Sequence, residues 1–208
     1  MTTIRAVFFD VGETLVDEER YWRDVAAAAG VGPHVIWAAL GKTIERGEEH
    51  WELWRHLGVE RPESAWQNIV YSTDDFYPDA IDCLRGLRAR GLVVGLAGNQ
   101  SDALEAWARS ADLPVDIVSG SGSLGVRKPD PAFFRAVVEL TGLAPGEVVY
   151  VGDRVDNDVL PAADAGLVAV HLRRGPWGFL QAPPDGVPVI QTLDELAPLV
   201  DDLSAGRR

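Results

Sequence analysis

Three acidic side chains and one lysine follow apolar segments that lie far apart in the sequence. Asp10 ends the first of these segments and Lys128 comes after the third. Asp153 and Asp158 come after the fourth. Because strand ends in an open parallel sheet meet at one edge, where ligands bind, we expect these side chains to converge. Crowded carboxylates repel one another unless a cation lies among them, and a divalent ion with oxygen ligands, typically Mg²⁺, meets that need.

The apolar segments predict the elements that position these residues. Predicted strands cover residues 4–10, 92–97, 115–119, 148–152 and 167–172. Amphipathic patterns between them predict helices over residues 80–90, 102–110 and 130–141. Near-continuous apolar strands that alternate with amphipathic helices are typical of a parallel sheet covered on both faces. The predicted fold class is therefore α/β, with an open, Rossmann-like parallel-sheet core.

Residues 18–76 interrupt this alternation and contain no strand pattern. Helix-like stretches cover residues 18–29, 34–40, 43–57 and 62–71, with glycines between them. Five of the seven tryptophans fall here, namely Trp22, Trp37, Trp51, Trp54 and Trp66. Large aromatic side chains usually build a core, although a wall facing a ligand or a contact in a homodimer are alternatives. We predict a small all-helical subdomain over residues 18–76, inserted into a core formed by residues 1–17 and 77–208.

Composition excludes several classes of protein. The 208 residues contain 19 Lys and Arg against 32 Asp and Glu, a net charge of −13, which disfavours binding to nucleic acid. No apolar stretch is long enough to span a bilayer, and no secretion signal opens the sequence. A lone cysteine, Cys83, forms neither an internal disulfide nor a metal motif. We therefore expect a cytoplasmic protein without nucleic-acid or membrane partners.

Four motifs, taken together and in order, resemble those of the haloacid dehalogenase superfamily, whose phosphotransferases use an aspartate nucleophile. They are FFDVGETL at residues 8–15, Gly98-Asn99, Lys128-Pro129, and VGDRVDND at residues 151–158. The resemblance implies a phosphatase-type hydrolase with a mobile helical cap inserted after the first strand. It also implies Mg²⁺ as cofactor and a small phosphorylated metabolite as substrate.

The resemblance assigns roles residue by residue. Asp10 would attack phosphorus and become a transient aspartyl phosphate, and Lys128 would orient Asp10 and neutralise the transferring group. The implied metal set is Asp10, the backbone carbonyl of Gly12, Asp153 and Asp158, with Asp158 as a nearby ligand that acts through water or through Lys128. The implied phosphate and substrate site comprises Val11, Gly12, Gly98, Asn99 and Lys128, with backbone N–H groups as donors.

Two positions depart from the family pattern. Gly12 stands where phosphatases of the family carry a second aspartate that protonates the leaving group and activates water. The next residue, Glu13, is expected to point elsewhere. Gly98 stands where a Ser or Thr usually bonds a phosphoryl oxygen. Loss of acid/base help typically costs about 10²- to 10⁴-fold in rate, so we expect weak or selective activity that favours aryl or acyl phosphates.

Two other functions remain open from the sequence. A catalytically degenerate binding or interaction protein would explain Gly12 and Gly98, but not the retention of Asp10 and Lys128. A metal-independent 2-haloacid dehalogenase would share the nucleophile, but Asp153 and Asp158 argue against it.

Other charged and polar residues are expected to be structural. In the helical segment, Arg20, Arg23 and Arg46 are expected to be solvated, with contact to an anionic substrate as the alternative. His171, at the end of the fifth strand, is expected to be packed.

Overall fold

A single parallel sheet forms the centre of the molecule in the computed structural model, which describes residues 3–62 and 72–206. Its strands are β1 Ala6–Phe9, β2 Val93–Gly98, β3 Ile117–Gly120, β4 Val148–Gly152, β5 Val168–Leu172 and β6 Val189–Ile190. Their order in the sheet is β3-β2-β1-β4-β5-β6. The predicted α/β class with an open parallel sheet is confirmed, and β1 and β4 lie side by side at its centre.

Helices follow most of the strands, as the sequence predicts. In the described ranges the α-helices are α1 Glu19–Ala28, α2 Pro33–Glu45, α3 Leu53–Leu57, α4 Ala80–Ala89, α5 Asp102–Ser110, α6 Ser121–Leu124, α7 Pro131–Glu139, α8 Leu160–Asp164, α9 Gly175–Leu180 and α10 Leu196–Ser204. Shorter turns are the 3₁₀ helices His50–Glu52, Thr73–Asp75, Pro145–Glu147 and Leu193–Glu195, and the π-helical turn Val155–Val159. None of the described helices is both long and apolar enough to cross a membrane.

Alternate side chains of each strand build the two faces of the core. On β1, Val7 and Phe9 pack on the face covered by α4, α5 and α10. Ala6 and Phe8 pack on the opposite face, against α7 and α8. Because both faces are buried, these strands are apolar at consecutive positions rather than alternating with polar residues. This burial explains why the strand segments were recognisable in the sequence.

The sheet has a sixth strand that no pattern in the sequence predicts. β6 is two residues long and pairs with β5 at the edge of the sheet, where Val189 remains 43% exposed. A strand this short has no pattern that distinguishes it from a loop.

Local signals explain where several helices begin. Ser101 accepts a hydrogen bond from the Leu104 N–H at the start of α5, at 3.4 Å. Asp130 does the same for the Ala132 N–H at the start of α7, at 2.8 Å, where Pro131 occupies the first turn. Such caps satisfy backbone donors that have no partner within the helix.

The helical segment differs from its prediction in one helix boundary. Residues 34–40 and 43–57 were predicted as two helices separated at Gly41, but α2 runs through Gly41 to Glu45. A glycine inside a helix costs only about 1 kcal/mol, which packing of neighbouring side chains can offset. The chain instead leaves the helix near Gly47, which has φ +64°, a left-handed conformation that glycine adopts readily. The helix predicted over 62–71 falls almost entirely outside the described residues.

Helices α1 to α3, the cap helices, surround a separate apolar cluster. It contains Trp22, Val25, Ile36, Leu40, Leu53 and Trp54 among others. Trp177, from α9 in the core, is buried in the same cluster. The predicted packing role is therefore correct for Trp22 and Trp54, but the cluster is completed by a side chain from the core. The division into a core and a cap of residues 18–76 stays a prediction.

Candidate active site

Asp10 and Asp153 stand at corresponding positions just beyond two neighbouring strands. Phe9 of β1 is aligned with Val151 of β4, and the Asp10 N–H donates to the Val151 carbonyl at 2.9 Å. Both side chains are buried. Together with Asp158 they place one carboxylate oxygen each within 4.8 Å of one another. The convergence predicted from the strand ends is thus present in the structure.

A glycine and a π-helical turn bring Asp158 into this cluster. A Cβ added to Gly152 would lie 2.5 Å from Asp158 Cγ, so glycine is needed to admit the carboxylate. The Arg154 N–H donates to Asp158 Oδ2 at 3.0 Å. Turns of the π type often occur at functional sites. The spacing between Asp153 and Asp158 therefore has a direct structural reason.

Lys128 lies between two of the three carboxylates. Its Nζ is 2.8 Å from Asp10 Oδ1 and 2.5 Å from Asp158 Oδ1. Burial by itself would lower the pKa of Lys128, but Asp10 and Asp158 hold it well above its usual range. The ammonium group is therefore charged, and it fixes the orientation of Asp10.

Asn99 fixes the backbone of this lysine rather than facing a ligand with its side chain. Its Oδ1 accepts the Lys128 N–H at 2.9 Å, and its Nδ2 donates to the Lys128 carbonyl at 3.1 Å. Both ends of the amide are thus used to hold the loop that carries Lys128. Only the backbone N–H of Asn99 is left for the predicted role in binding phosphate.

Asp153 is the one carboxylate of the three that forms no ion pair with Lys128. No cation in the described ranges comes within 4 Å of its carboxylate, and the residue is 2% exposed. Burial and the neighbouring carboxylates raise the pKa of Asp153 well above its usual value, and burial raises that of Asp158 to about 6. Three buried carboxylates against one ammonium leave an excess of negative charge that a divalent cation would offset. The donor set, all oxygen, fits Mg²⁺.

The space beside Gly12 is occupied by Glu18, a residue to which no sequence motif assigns a role. A Cβ built on Gly12 would overlap Glu18 Oε1 and lie 2.9 Å from Glu18 Cδ. Glu18 Oε2 accepts a hydrogen bond from Trp22 Nε1 at 3.3 Å. An aspartate at position 12 would therefore collide with the Glu18 carboxylate as it stands. No local sequence signal announces this contact, because it depends on how α1 packs over the core.

The Glu13 carboxylate is engaged by contacts of its own, and it is not the carboxylate that lies beside Gly12. Its Oε2 accepts from the Tyr77 hydroxyl at 2.7 Å, and its Oε1 accepts from the Glu18 N–H at 3.2 Å. Its backbone has φ +52°, and burial raises its pKa to about 7. Glu13 thus braces the turn that leads to Glu18.

Gly98, the second position that differs from the family pattern, also has other side chains in the space that its own side chain would take. A Cβ there would overlap Asp10 Oδ1 and Gln100 Oε1, and lie 2.7 Å from Gln100 Nε2. Serine or threonine at this position would therefore require the ends of the Asp10 and Gln100 side chains to move. Gln100 Oε1 is buried and has no hydrogen-bond partner within residues 3–62 and 72–206. The amide of Gln100 thus stands where the hydroxyl of the family pattern is absent.

A cavity of about 580 Å³ opens above the carboxylates. Its floor includes Asp10, Gly12, Lys128 and Asp153. Its upper walls come from the cap helices and neighbouring loops, and include Glu18, Trp22, His50, Trp51, Arg61, Arg127, Arg154 and Trp177. This volume suits a small molecule.

Cationic side chains line the upper cavity, but Arg20, Arg23 and Arg46, for which contact with a substrate was the alternative to solvation, are not among them. Arg20 is paired with Asp75 at 2.5 Å, and Arg46 with Glu48 at 3.0 Å. The cavity instead contains Arg61, Arg127 and Arg154. Burial and these three arginines lower the pKa of a neighbouring side chain, His50, to about 4.

His171 is packed, as expected. Its side chain is buried, and Nε2 contacts the Asp153 carbonyl at 3.0 Å.

Comparisons with known proteins agree with this arrangement. A profile of the haloacid dehalogenase-like hydrolases matches residues 4–166. A glyceraldehyde 3-phosphate phosphatase of Methanopyrus kandleri is 32% identical over 84% of this chain and 86% of that protein. A phosphoglycolate phosphatase of Rhodospirillum rubrum is 33% identical over 60% of this chain and 52% of that protein.

Solved structures show the same fold. The crystal structure of a dehalogenase superposes with a TM-score of 0.68 and covers 96% of this chain and 98% of that one. The two sequences are 23% identical, so the likeness concerns the fold and not the reaction.

Proposed function

The chain belongs to the haloacid dehalogenase-like hydrolases, and on that basis we propose that it is a Mg²⁺-dependent phosphatase of small phosphorylated metabolites. One observation carries the proposal: Lys128 joins Asp10 and Asp158, while the buried Asp153 beside them has no cation of its own among the described residues. This arrangement provides a nucleophile, a fixed positive charge and a place for a metal ion at the floor of one cavity. Phosphoryl transfer requires that combination of positioning and charge neutralisation.

In the proposed reaction Asp10 attacks the phosphorus atom of a phosphate monoester. A bond forms between its carboxylate oxygen and phosphorus, and the bond to the ester oxygen breaks, releasing the alcohol. Water then attacks the aspartyl phosphate, inorganic phosphate leaves and the Asp10 carboxylate is restored. Lys128 holds Asp10 in position through both steps and neutralises charge on the phosphoryl oxygens.

The metal would be held by Asp10, Asp153, Asp158 and the backbone carbonyl of Gly12. When bound, Mg²⁺ supplies positive charge that stabilises the phosphoryl group as negative charge develops. Backbone N–H groups of Val11, Gly12 and Asn99 would bind the remaining phosphoryl oxygens. Beside them, the Gln100 amide lies in the space that a side chain at position 98 would take.

The upper cavity supports a small anionic substrate. Arg61, Arg127 and Arg154 line it above the acidic floor, and Trp51 and Trp177 provide apolar surface. The relatives named above act on small sugar or acid phosphates, to judge from their names. We therefore propose a phosphorylated metabolite of that size as substrate.

Location, assembly and domain division are also part of the proposal. The single cysteine supports a cytoplasmic location. Among the described cap tryptophans, Trp37 and Trp51 would be the ones to form a homodimer contact, because Trp22 and Trp54 are buried within the cap cluster. Trp66 lies outside the described residues. The mobile cap would cover residues 18–76.

Phosphate release tests the proposal. Purified protein would be assayed with p-nitrophenyl phosphate, glyceraldehyde 3-phosphate and phosphoglycolate, with Mg²⁺ or with EDTA. We expect Mg²⁺-dependent turnover, and in Asp10→Asn a loss of at least about 10⁴-fold. Asp24→Asn, on the exposed side of α1, is the matched control.

Two outcomes would favour the other functions. Chloride release from 2-chloropropionate in EDTA would identify a dehalogenase. A folded protein that turns over none of these compounds would identify a binding protein.

A further inference from the structure

The carboxylate of Glu18 takes up the space that a side chain at position 12 would occupy. The Cβ built on Gly12 lies closer to Glu18 Oε1 than any real contact allows, with Glu18 Cδ at 2.9 Å and Oε2 at 3.5 Å. A carboxylate is therefore present beside Gly12, although it comes from a residue six positions later. Glu18 and Asp10 line the same cavity.

Both the backbone and the carboxylate of Glu18 are held by hydrogen bonds. Its backbone N–H donates to Glu13 Oε1 at 3.2 Å, and Glu13 is braced in turn by the Tyr77 hydroxyl. Its side-chain Oε2 accepts from the Trp22 indole at 3.3 Å, and that indole is 2% exposed. A carboxylate anchored through the backbone and through one oxygen has a defined direction, which proton transfer requires.

The other titratable groups that line the cavity have different tasks. Lys128 is bound by two carboxylates, and Asp10 is the nucleophile. The Glu13 carboxylate is occupied by Tyr77 and by the Glu18 N–H. His50 lies among Arg61, Arg127 and Arg154, which disfavour its protonated form. Among the described acidic groups around the cavity, Glu18 is the one placed where the family pattern puts its proton donor.

We propose, on the premise of the phosphatase function, that Glu18 is the general acid and base of this enzyme. In the first step its carboxylic acid donates a proton to the ester oxygen as the bond from that oxygen to phosphorus breaks, and the alcohol leaves. In the second step the Glu18 carboxylate takes a proton from the water that attacks the aspartyl phosphate. The bond between Asp10 and phosphorus breaks, inorganic phosphate leaves and Glu18 is protonated again.

This assignment changes the meaning of Gly12. The sequence alone predicts weakened acid/base catalysis and a preference for aryl or acyl phosphates. With Glu18 in the role, Gly12 is the residue that makes room for a donor supplied from the start of α1. The enzyme should then hydrolyse alkyl phosphates, whose leaving groups need a proton.

Leaving-group dependence tests the proposal. The Glu18→Gln variant keeps the size of the side chain and an oxygen that can accept from Trp22, but cannot transfer a proton. We expect kcat/KM for phosphoglycolate, an alkyl phosphate, to fall by about 10²- to 10⁴-fold. For p-nitrophenyl phosphate, kcat/KM should fall less than about tenfold, because its leaving group departs without a proton. The ratio of the two values does not depend on the fraction of folded protein.

A second experiment moves the carboxylate from position 18 to position 12. Glu18→Ala opens the space beside Gly12, so Gly12→Asp combined with Glu18→Ala should recover part of the lost alkyl phosphatase activity. Gly12→Asp alone should not raise activity, because Glu18 occupies its space. Glu19→Gln, at the exposed neighbouring position, should behave as the parent.

The outcomes separate this proposal from the one on which it rests. Turnover by the parent with equal loss for both esters in Glu18→Gln, or with no loss, would overturn the role of Glu18 and leave the phosphatase function standing. A parent protein inactive on both esters would overturn both.

Discussion

The two walls of the cavity are built differently. The sheet-side wall is formed by Asp10, Lys128 and Asp153, residues that are 2% to 9% exposed. Lys128 also links Asp10 to Asp158, which is 0% exposed and lies outside the cavity lining. The cap-side wall, which includes Glu18, His50, Trp51 and Arg154, is half-buried or exposed and comes from helices and loops above the sheet. In the proposed function, the first wall would act on the phosphoryl group common to all phosphate esters, and the second would contact the part that differs between esters.

The two walls differ in their exposure to water, so mutations in them should change the stability of the protein by different amounts. Charges on the sheet-side wall are removed from water, so each depends strongly on its partner. Charges on the cap-side wall are partly screened by solvent, so the loss of one costs less stability. Substitutions in the two walls can therefore be compared directly by their effect on unfolding.

Removal of the lysine should produce the largest change in stability. In Lys128→Met, Asp10 and Asp158 lose the ammonium group that lies 2.8 Å and 2.5 Å from them. We expect the free energy of unfolding, measured by urea denaturation at neutral pH without divalent ions, to fall by about 3–5 kcal/mol. The matched control is Lys42→Met on the exposed side of α2, which should change stability by no more than about 0.5 kcal/mol. A change below about 1 kcal/mol in Lys128→Met would show that the sheet-side wall does not depend on its cation.

Metal binding should have the next largest effect. Saturation with Mg²⁺ at about 100 times its Kd should stabilise the parent by about 2.7 kcal/mol, visible as a higher Tm in thermal unfolding. Asp153→Asn should remove this gain, and it should raise the Tm of the metal-free protein because it removes a buried negative charge. Asp156→Asn changes an exposed residue in the same motif and should keep the response to Mg²⁺. An unchanged response in Asp153→Asn would place the metal elsewhere.

The smallest effect concerns pH and the cap-side wall. Burial and three arginines lower the pKa of His50 from 6.5 to about 4, so the unfolded chain binds this proton first as the pH falls. The parent should therefore lose about 1–2 kcal/mol of stability relative to His50→Gln between pH 6.5 and pH 4, a loss kept small by solvent screening. Denaturation curves over this range measure the difference, with His34→Gln as the control for loss of an exposed histidine. Parallel pH curves for the parent and His50→Gln would contradict the expectation.

Much of the fold could be predicted because its signals are local. Strands such as β4 are apolar at consecutive positions since both of their faces are buried, and their bounds were predicted within about two residues. Helices α4, α5 and α7 could be predicted from their amphipathic patterns, which are local as well. The break at Gly41 was wrong, because a glycine inside a helix is tolerated where packing compensates. The edge strand β6 was missed because two residues carry no pattern.

The site was predictable on one wall and not on the other. Asp10, Lys128, Asp153 and Asp158 each follow a strand, and parallel strands that end at one edge bring their following residues together. Arg127 and Arg154 stand next to predicted residues, yet their position on the cavity wall was not foreseen. Arg61 and His50 belong to the helical segment, whose packing over the core no spacing in the sequence reveals.

Local patterns in the amino-acid sequence predict the α/β class, the order of the strands along the chain and the groups that follow them, because apolar periodicity and turn residues act over a few positions. Three contacts could be seen only in the folded molecule: Glu18 fills the space beside Gly12, Gln100 lies beside Gly98, and Trp177 completes the cluster of the cap helices. Each of these contacts depends on how separate elements, or the turns that join them, pack in three dimensions. Such packing depends on the fold of the whole chain, so the residues that make these contacts show no local sequence pattern.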